Sequence, residues 1–266
     1  MQEKVSDAIF KDSRELLKTN SNFGKATINL KLTNSLISNY FNSFKQSVVL
    51  LPGFIASDEK GNTTTLGRGG SDFTAAILAN GCKATSLEIW TDVSGMFTAN
   101  PKLVKQAKPI ESISYHEAME LSHFGAKVLY PPTIQPVLNA SIPIWIKNTF
   151  DADANGTLIS NAQESNGNPV KGISHIEDIA LLTLEGSGMI GVAGSSKRLF
   201  EVLSKENINV VFITQASSEH SICIGILNND AEKAKNAIDE TFELEITQNK
   251  INPCIVEKDL CIVALV

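Results

Sequence analysis

From residue 47 to residue 149, short apolar runs alternate with helix-forming stretches, and this alternation admits few folds. SVVLLPGFIAS (47–57) is a continuous apolar run closed by Pro52, Gly53 and a polar DEKGN turn. Such runs are typical of a strand buried on both faces of a parallel sheet. Upstream, DSRELLKT reads as a turn and LTNSLISNYFNSF as an amphipathic helix. Downstream, a helix is expected over 71–80, a strand at SLEIW (86–90), a helix over 114–124 and a strand at IPIWIKNT (142–149), while VLYPPTIQPVLNA carries no predicted element. Strands alternating with helices in this way imply an α/β layered domain. DADANGTLIS closes that domain, and the polar stretch 161–172 (NAQESNGNPVKG) reads as a linker. The block beyond it has a different order, strand–helix–strand–strand–helix, which is that of a ferredoxin-like unit. A last strand, CIVALV, ends the chain.

The 266 residues suffice for two such domains. A formal charge of −6 argues against a nucleic-acid surface, which would be basic. No apolar run approaches the roughly 18 residues of a membrane helix, and the N-terminus lacks a signal-peptide core. Cys82, Cys223, Cys254 and Cys261 form no C-x-x-C pair and are expected as reduced core thiols. A cytoplasmic protein with small ligands fits these features.

Three glycine loops compete for the chemistry. In TTTLGRGGSDFTAA, Gly67, Gly69 and Gly70 let the backbone approach a ligand or adopt positive φ. Ser71 or Asp72 can cap the following helix. Arg68 has no such structural use, because a guanidinium beside a helix N-terminus meets an unfavourable dipole unless an anion lies between them. A planar fork next to free backbone N–H groups clamps a carboxylate or a phosphate. The second loop, Gly186-Ser-Gly188-Met-Ile-Gly191, satisfies G-x-G-x-x-G, but the strand after its helix ends in Gln215 with no acidic residue for a ribose. Its backbone N–H groups over 186–194, with Thr214, Gln215 and Ser217 at the neighbouring strand end, suit an amino acid effector, and a tight turn with a capped helix suits the pattern too. The third loop, GNTTTLGRG, lacks the spacing and the Lys-Ser/Thr of a P-loop.

Asp92 stands just past a strand's C-terminal end, the edge where open α/β sheets bind ligands. Lys127 is either solvated surface or a positioned charge. His116, Glu120 and His123 share a helix face, but HEAME is not H-E-x-x-H, so no resident metal site is expected.

Together, TTTLGRGGSDFTAA, EIWTDVSGMFTANP and SYHEAMELSHFGAKVLYPPT resemble the aspartokinases, members of the amino-acid kinase fold. The stretch from VKGISHIEDIALLTLEG to SICIGI is similar to the first ACT regulatory module of the threonine-sensitive enzymes fused to homoserine dehydrogenase. The resemblance implies an α/β chain: residues 1–165 as the C-terminal portion of an αβα kinase sandwich, and 172–258 as a ferredoxin-like (βαββαβ) ACT domain. Residues 259–266 would start a second, truncated ACT module. It implies transfer of the ATP γ-phosphoryl to the side-chain carboxylate of L-aspartate, with Mg²⁺ accompanying the nucleotide, at the head of threonine, methionine and lysine biosynthesis.

Arg68, with Gly69 and Ser71, would grip the substrate α-carboxylate, and Asp72 its ammonium or a catalytic lysine. Lys127 and Asp72 would be catalytic. Thr91, Asp92, Phe97, Lys102, Lys127 and Val128 would lie at the nucleotide. Gly188, Met189, Ile190, Gln215 and Ser217 would hold threonine or lysine as effector, and a homo-oligomer would form through ACT modules. Phe97, Lys102 and Tyr130 depart from the family's usual tyrosine, arginine and histidine, and lysine for arginine removes a bidentate fork. The family's opening K-F-G-G-T and its R-G-E string do not occur, so a piece of a larger polypeptide is expected. A rival reading is a non-catalytic ACT sensor with a scaffold kinase half.

Overall fold

The structure, a computed structural model, describes residues 7–123, 129–161, 170–215 and 220–266. The chain divides into two compact units, residues 1–174 with 264–266, and residues 175–263.

In the first unit the order is β1 (Ala8–Phe10), α1 (Leu30–Asn42), β2 (Val48–Leu50), β3 (Ile55–Ser57), β4 (Thr63–Thr65), α2 (Gly70–Gly81), β5 (Leu87–Thr91), β6 (Ser112–Ser114), α3 (Tyr115–His123), α4 (Pro131–Asn139), β7 (Ile144–Asn148) and β8 (Thr157–Ser160). The main sheet runs β5-β7-β8-β6. β5 pairs parallel to β7, β7 antiparallel to β8, and β6 parallel to β8.

Side chains alternate across each strand, and the inward set, Leu87, Ile89, Ile144, Ile146 and Ile159, packs with Ala76, Ala118, Leu121, Ile134 and Val137 into one core. Each fully buried large apolar side chain contributes roughly 1.5–3 kcal/mol, which fixes the helices on this face. Tyr115 enters the core with its hydroxyl donating to the Ile142 carbonyl. Ser114 and Glu117 start α3 as a capping box: the Glu117 amide donates to Ser114 Oγ at 3.2 Å, and Glu117 Oε2 accepts from the Ser114 amide at 2.9 Å.

Three stretches differ from expectation. The run 47–57 is two three-residue strands, split by Pro52, Gly53 and Phe54, whose φ is +74°. β2 pairs with β1 alone in a two-stranded parallel sheet, and β3 pairs antiparallel with β4. VLYPPTIQPVLNA contains helix α4, because Pro131 and Pro132 occupy its first turn, where a missing N–H costs no hydrogen bond. DADANGTLIS does more than close the domain, since its TLIS is β8, inside the main sheet.

In the second unit, β9 (Ile173–Glu185), α5 (Ser195–Lys205), β10 (Phe212–Gln215), β11 (Ser221–Leu227), α6 (Ala231–Thr241), α7 (Glu243–Thr247) and β12 (Ile255–Leu265) follow in the ferredoxin-like order. The sheet runs β10-β11-β9-β12, with β11 antiparallel to both neighbours. Leu199, Leu203, Ala234 and Ile238 of the helices cover Leu182, Leu184, Ile222, Ile224 and Ile226 of the sheet. Arg198 ties α5 to the α6–α7 corner: it pairs with Glu245, donates to the Thr241 carbonyl at 2.5 Å and lies 4.3 Å over the Phe242 ring. The pairing holds the Glu245 carboxyl below its ordinary value.

The boundary expected at 258/259 falls inside β12, which is continuous from Ile255 to Leu265 at the edge of this sheet. The boundary expected at 165 lies outside the described residues. Cys254 is buried as expected, but Cys261 is exposed on β12. Among the described residues no helix is long and apolar enough to cross a membrane.

Candidate active site

The 67–72 turn owes its shape to two residues in the left-handed region, Gly67 at φ +74° and Gly69 at φ +68°. A side chain at either position would strain the backbone. Gly69 is the N-cap of α2 and no side chain caps the helix; the Gly70 amide turns back onto the Gly67 carbonyl at 3.1 Å, and the Ser71 and Asp72 amides keep their donors for a ligand. Neither Ser71 nor Asp72 serves as the cap. Arg68, between the two glycines, is exposed, and among the described residues it meets no carboxylate. Its guanidinium lies 5.7 Å over the ring of Tyr130.

Asp72 sits in the first turn of α2, half-buried. No hydrogen bond or ion pair satisfies it among the described residues, and burial raises its carboxyl above the ordinary 3.8. A raised value in the fold means that protonation is favoured there. Stability from this group is therefore fully present below 3.8 and is lost as pH rises through the raised value. A cationic ligand group beside Asp72 would reverse that cost. Binding of an ammonium is expected to weaken on acidification, starting above 3.8, and the Asp72→Asn variant is expected to lose both this pH dependence and affinity. Calorimetric titration with L-aspartate between pH 8 and pH 4.5 checks it; an identical pH profile in wild type and variant would exclude the role.

Residues 82–86 join α2 to β5, and the two elements pack on one another. Twelve helical residues span about 18 Å and five strand residues about 16 Å, so the two are matched in length, and β5 ends at Thr91. Thr91 and Asp92 stand at that end, with Thr91 Oγ1 donating to Asp92 Oδ1 at 3.2 Å and Asp92 exposed. The Thr149 amide donates to the Thr91 carbonyl, and Asn148 reaches Ser94 Oγ at 2.9 Å, which anchors the loop that follows. Phe97 is half-buried in this loop and bridged to Pro109. Lys102 is exposed farther along, its amide held by Asn100, and among the described residues no bond links it to Thr91 or Asp92. Lys127 and Val128 lie outside the described residues. Glu117 of the HEAME string is consumed by its cap, and no group of three His, Cys, Asp or Glu could hold a metal among the described residues.

The second unit contains a cavity of about 300 Å³ lined by Met189, Gly191, Val192, Gly194, Ser196 and Gln215, among others. Gly194, at φ +101°, is the N-cap of α5, again without a side-chain cap. Of the expected effector residues, Met189 and Gln215 line the cavity and Ser217 lies outside the described residues. Gly188 and Ile190 are absent from the wall: the Gly188 amide donates to the Lys250 carbonyl at 2.8 Å, and Ile190 is 53% exposed. The 186–194 backbone expected at the effector contributes Gly191, Val192, Ala193 and Gly194 to the wall, and the residues missed from the sequence are Tyr130 as a partner of Arg68, and Ser195, Ser196 and Ile222 of the cavity. The signals were the Tyr-Pro-Pro helix start and the Ser195-Ser196 pair that follows Gly194.

A model of the amino acid kinase family matches residues 1–148, and an ACT domain model matches residues 182–242. A bifunctional aspartokinase/homoserine dehydrogenase of Haemophilus influenzae is 44% identical over 225 residues, 85% of this chain and 28% of that protein. E. coli aspartokinase III solved with lysine and aspartate superposes at a TM-score of 0.75 with 34% identity, covering 97% of this chain and 57% of that one. The same enzyme solved with aspartate and ADP also gives 0.75, at 33% identity and over 100% of this chain and 58% of that one. This chain thus spans under a third of the bifunctional relative and somewhat over half of the solved enzyme. By the match over its first 148 residues, the chain belongs to the amino acid kinase family, with an ACT domain behind the kinase portion.

Proposed function

We propose that this chain is part of an aspartate kinase, which moves the γ-phosphoryl group of ATP onto the side-chain carboxylate of L-aspartate. The observation that carries the reading is the uncapped start of α2, with an exposed guanidinium at one side and a half-buried carboxylate one turn in. Arg68 and the amides of Ser71 and Asp72 hold the substrate α-carboxylate, and Asp72 holds the ammonium. The substrate's own side-chain carboxylate then faces the edge of β5, where Thr91 and Asp92 meet the nucleotide. Phosphoryl transfer needs alignment and neutralisation of charge more than a strong base. Mg²⁺ bound with the nucleotide would neutralise phosphate charge, and Asp92, exposed at the end of β5, would be the carboxylate to meet it. Lys127 adds positive charge there. The relatives support this reading through their names, and E. coli aspartokinase III was solved with aspartate and ADP.

The ACT cavity is the effector site, taking threonine or lysine, with the α-carboxylate on the amides at the start of α5 and the amide of Gln215 on the ligand's polar groups. Copies of the chain associate through ACT modules, and the enzyme acts in the cytoplasm. Gln215→Ala is expected to weaken threonine binding about tenfold, from the loss of one or two neutral hydrogen bonds, and to leave aspartate binding unchanged. Calorimetry with threonine, lysine and aspartate tests the whole scheme: uptake of an effector with no uptake of aspartate would favour a sensor over a kinase.

A further inference from the structure

We infer that Tyr130 is a positioning residue that holds the Arg68 guanidinium in the orientation needed to receive a carboxylate. This rests on the reading of the 67–72 turn as the aspartate grip. Arg68 is exposed and flanked by two glycines, and among the described residues no acidic side chain restrains it. A long cation in such a place gives up rotamer freedom when a ligand fixes it. The ring of Tyr130, 5.7 Å from the guanidinium carbon, restricts it beforehand.

The ring is itself well placed for this. Tyr130 is the N-cap of α4 at φ −89°, ψ 113°, the extended region to which a residue before proline is confined. Pro131 and Pro132 fix the first turn behind it, and α4 packs directly on α2, the helix that Arg68 precedes. A stiff backbone on one helix therefore presents an aromatic face to a flexible cation at the start of its neighbour. The face also leaves the guanidinium edge, with its N–H donors, open for a carboxylate.

The test combines side-chain relaxation with binding in three variants of the full chain. In wild type and Tyr130→Phe the Arg68 Nε–H is expected to be ordered on the nanosecond scale, and in Tyr130→Leu it is expected to become mobile. The dissociation constant for L-aspartate is expected to rise about two- to fivefold in Tyr130→Leu, and to stay at the wild-type value in Tyr130→Phe. Threonine affinity, measured alongside, stays constant in both and reports an intact fold. Equal Nε–H order in wild type and Tyr130→Leu, or a Phe variant that behaves like Leu, overturns the inference. Aspartate affinity that survives Arg68→Ala, or its absence from wild type, overturns the underlying reading of the turn and the role of Tyr130 with it.

Discussion

Arg68→Ala is expected to weaken L-aspartate binding at least about a hundredfold while leaving threonine affinity unchanged. The estimate follows from the bonds at stake. A hydrogen bond to a charged group contributes about 1.5–3 kcal/mol, and a guanidinium fork makes two of them to one carboxylate. Each 1.4 kcal/mol is a tenfold change in affinity. The exposed side chain packs into no core, so its removal leaves the fold alone. Arg68→Lys keeps the charge and loses the fork, and an intermediate affinity is expected. Calorimetric titration with both amino acids supplies the check, and unchanged aspartate affinity in the alanine variant would remove Arg68 from the site.

The second large effect concerns stability. Gly156→Val is expected to destabilise the first unit by roughly 2–5 kcal/mol. Gly156 has φ +72°, and a Cβ there would run into the carbonyl oxygen of Ile146 on β7. A left-handed residue with a side chain costs about 1–2 kcal/mol, and forcing extra atoms into a packed position adds about 1–3. Domains are stable by about 5–15 kcal/mol in all, so the variant should stand near its unfolding threshold. Both tryptophans of the chain, Trp90 and Trp145, lie on β5 and β7 of the first unit. Their fluorescence in urea therefore reads this unit alone, and threonine binding reads the second unit. A wild-type urea midpoint in the variant would show that the β7–β8 connection is not as tightly closed as described.

Much of this was legible in the sequence because the local signals agreed with the fold. α2, β5 and β7 follow from small-residue and alternating patterns, and α5 and α6 from apolar residues at helical spacing, with Leu199, Leu203, Ala234 and Ile238 facing their sheet. α4 was hidden because three prolines read as breakers, although two of them belong to a helix start. The run 47–57 read as one strand because periodicity cannot see the left-handed Phe54 that breaks it. β8 was masked by the turn-rich DADANG ahead of it.

At the candidate site the chemistry of Arg68 and Asp72 was visible from residue type and spacing, whereas the Tyr130 contact was not, because it joins residues 62 positions apart through the packing of α2 on α4. The effector cavity was half visible. Gln215 and Met189 were named, but Gly188 is held against Lys250, a pairing that only the tertiary fold creates.

That the 67–72 turn grips the two charged ends of an amino acid is tested most directly by ¹H–¹⁵N NMR titration of the chain, first with L-aspartate and then with L-threonine. Aspartate is expected to move the amides of Gly69, Ser71 and Asp72 and the Arg68 Nε–H, leaving residues 191–196 unmoved, and threonine is expected to do the reverse. Aspartate shifts that bypass the turn, or that gather at 191–196, would contradict it.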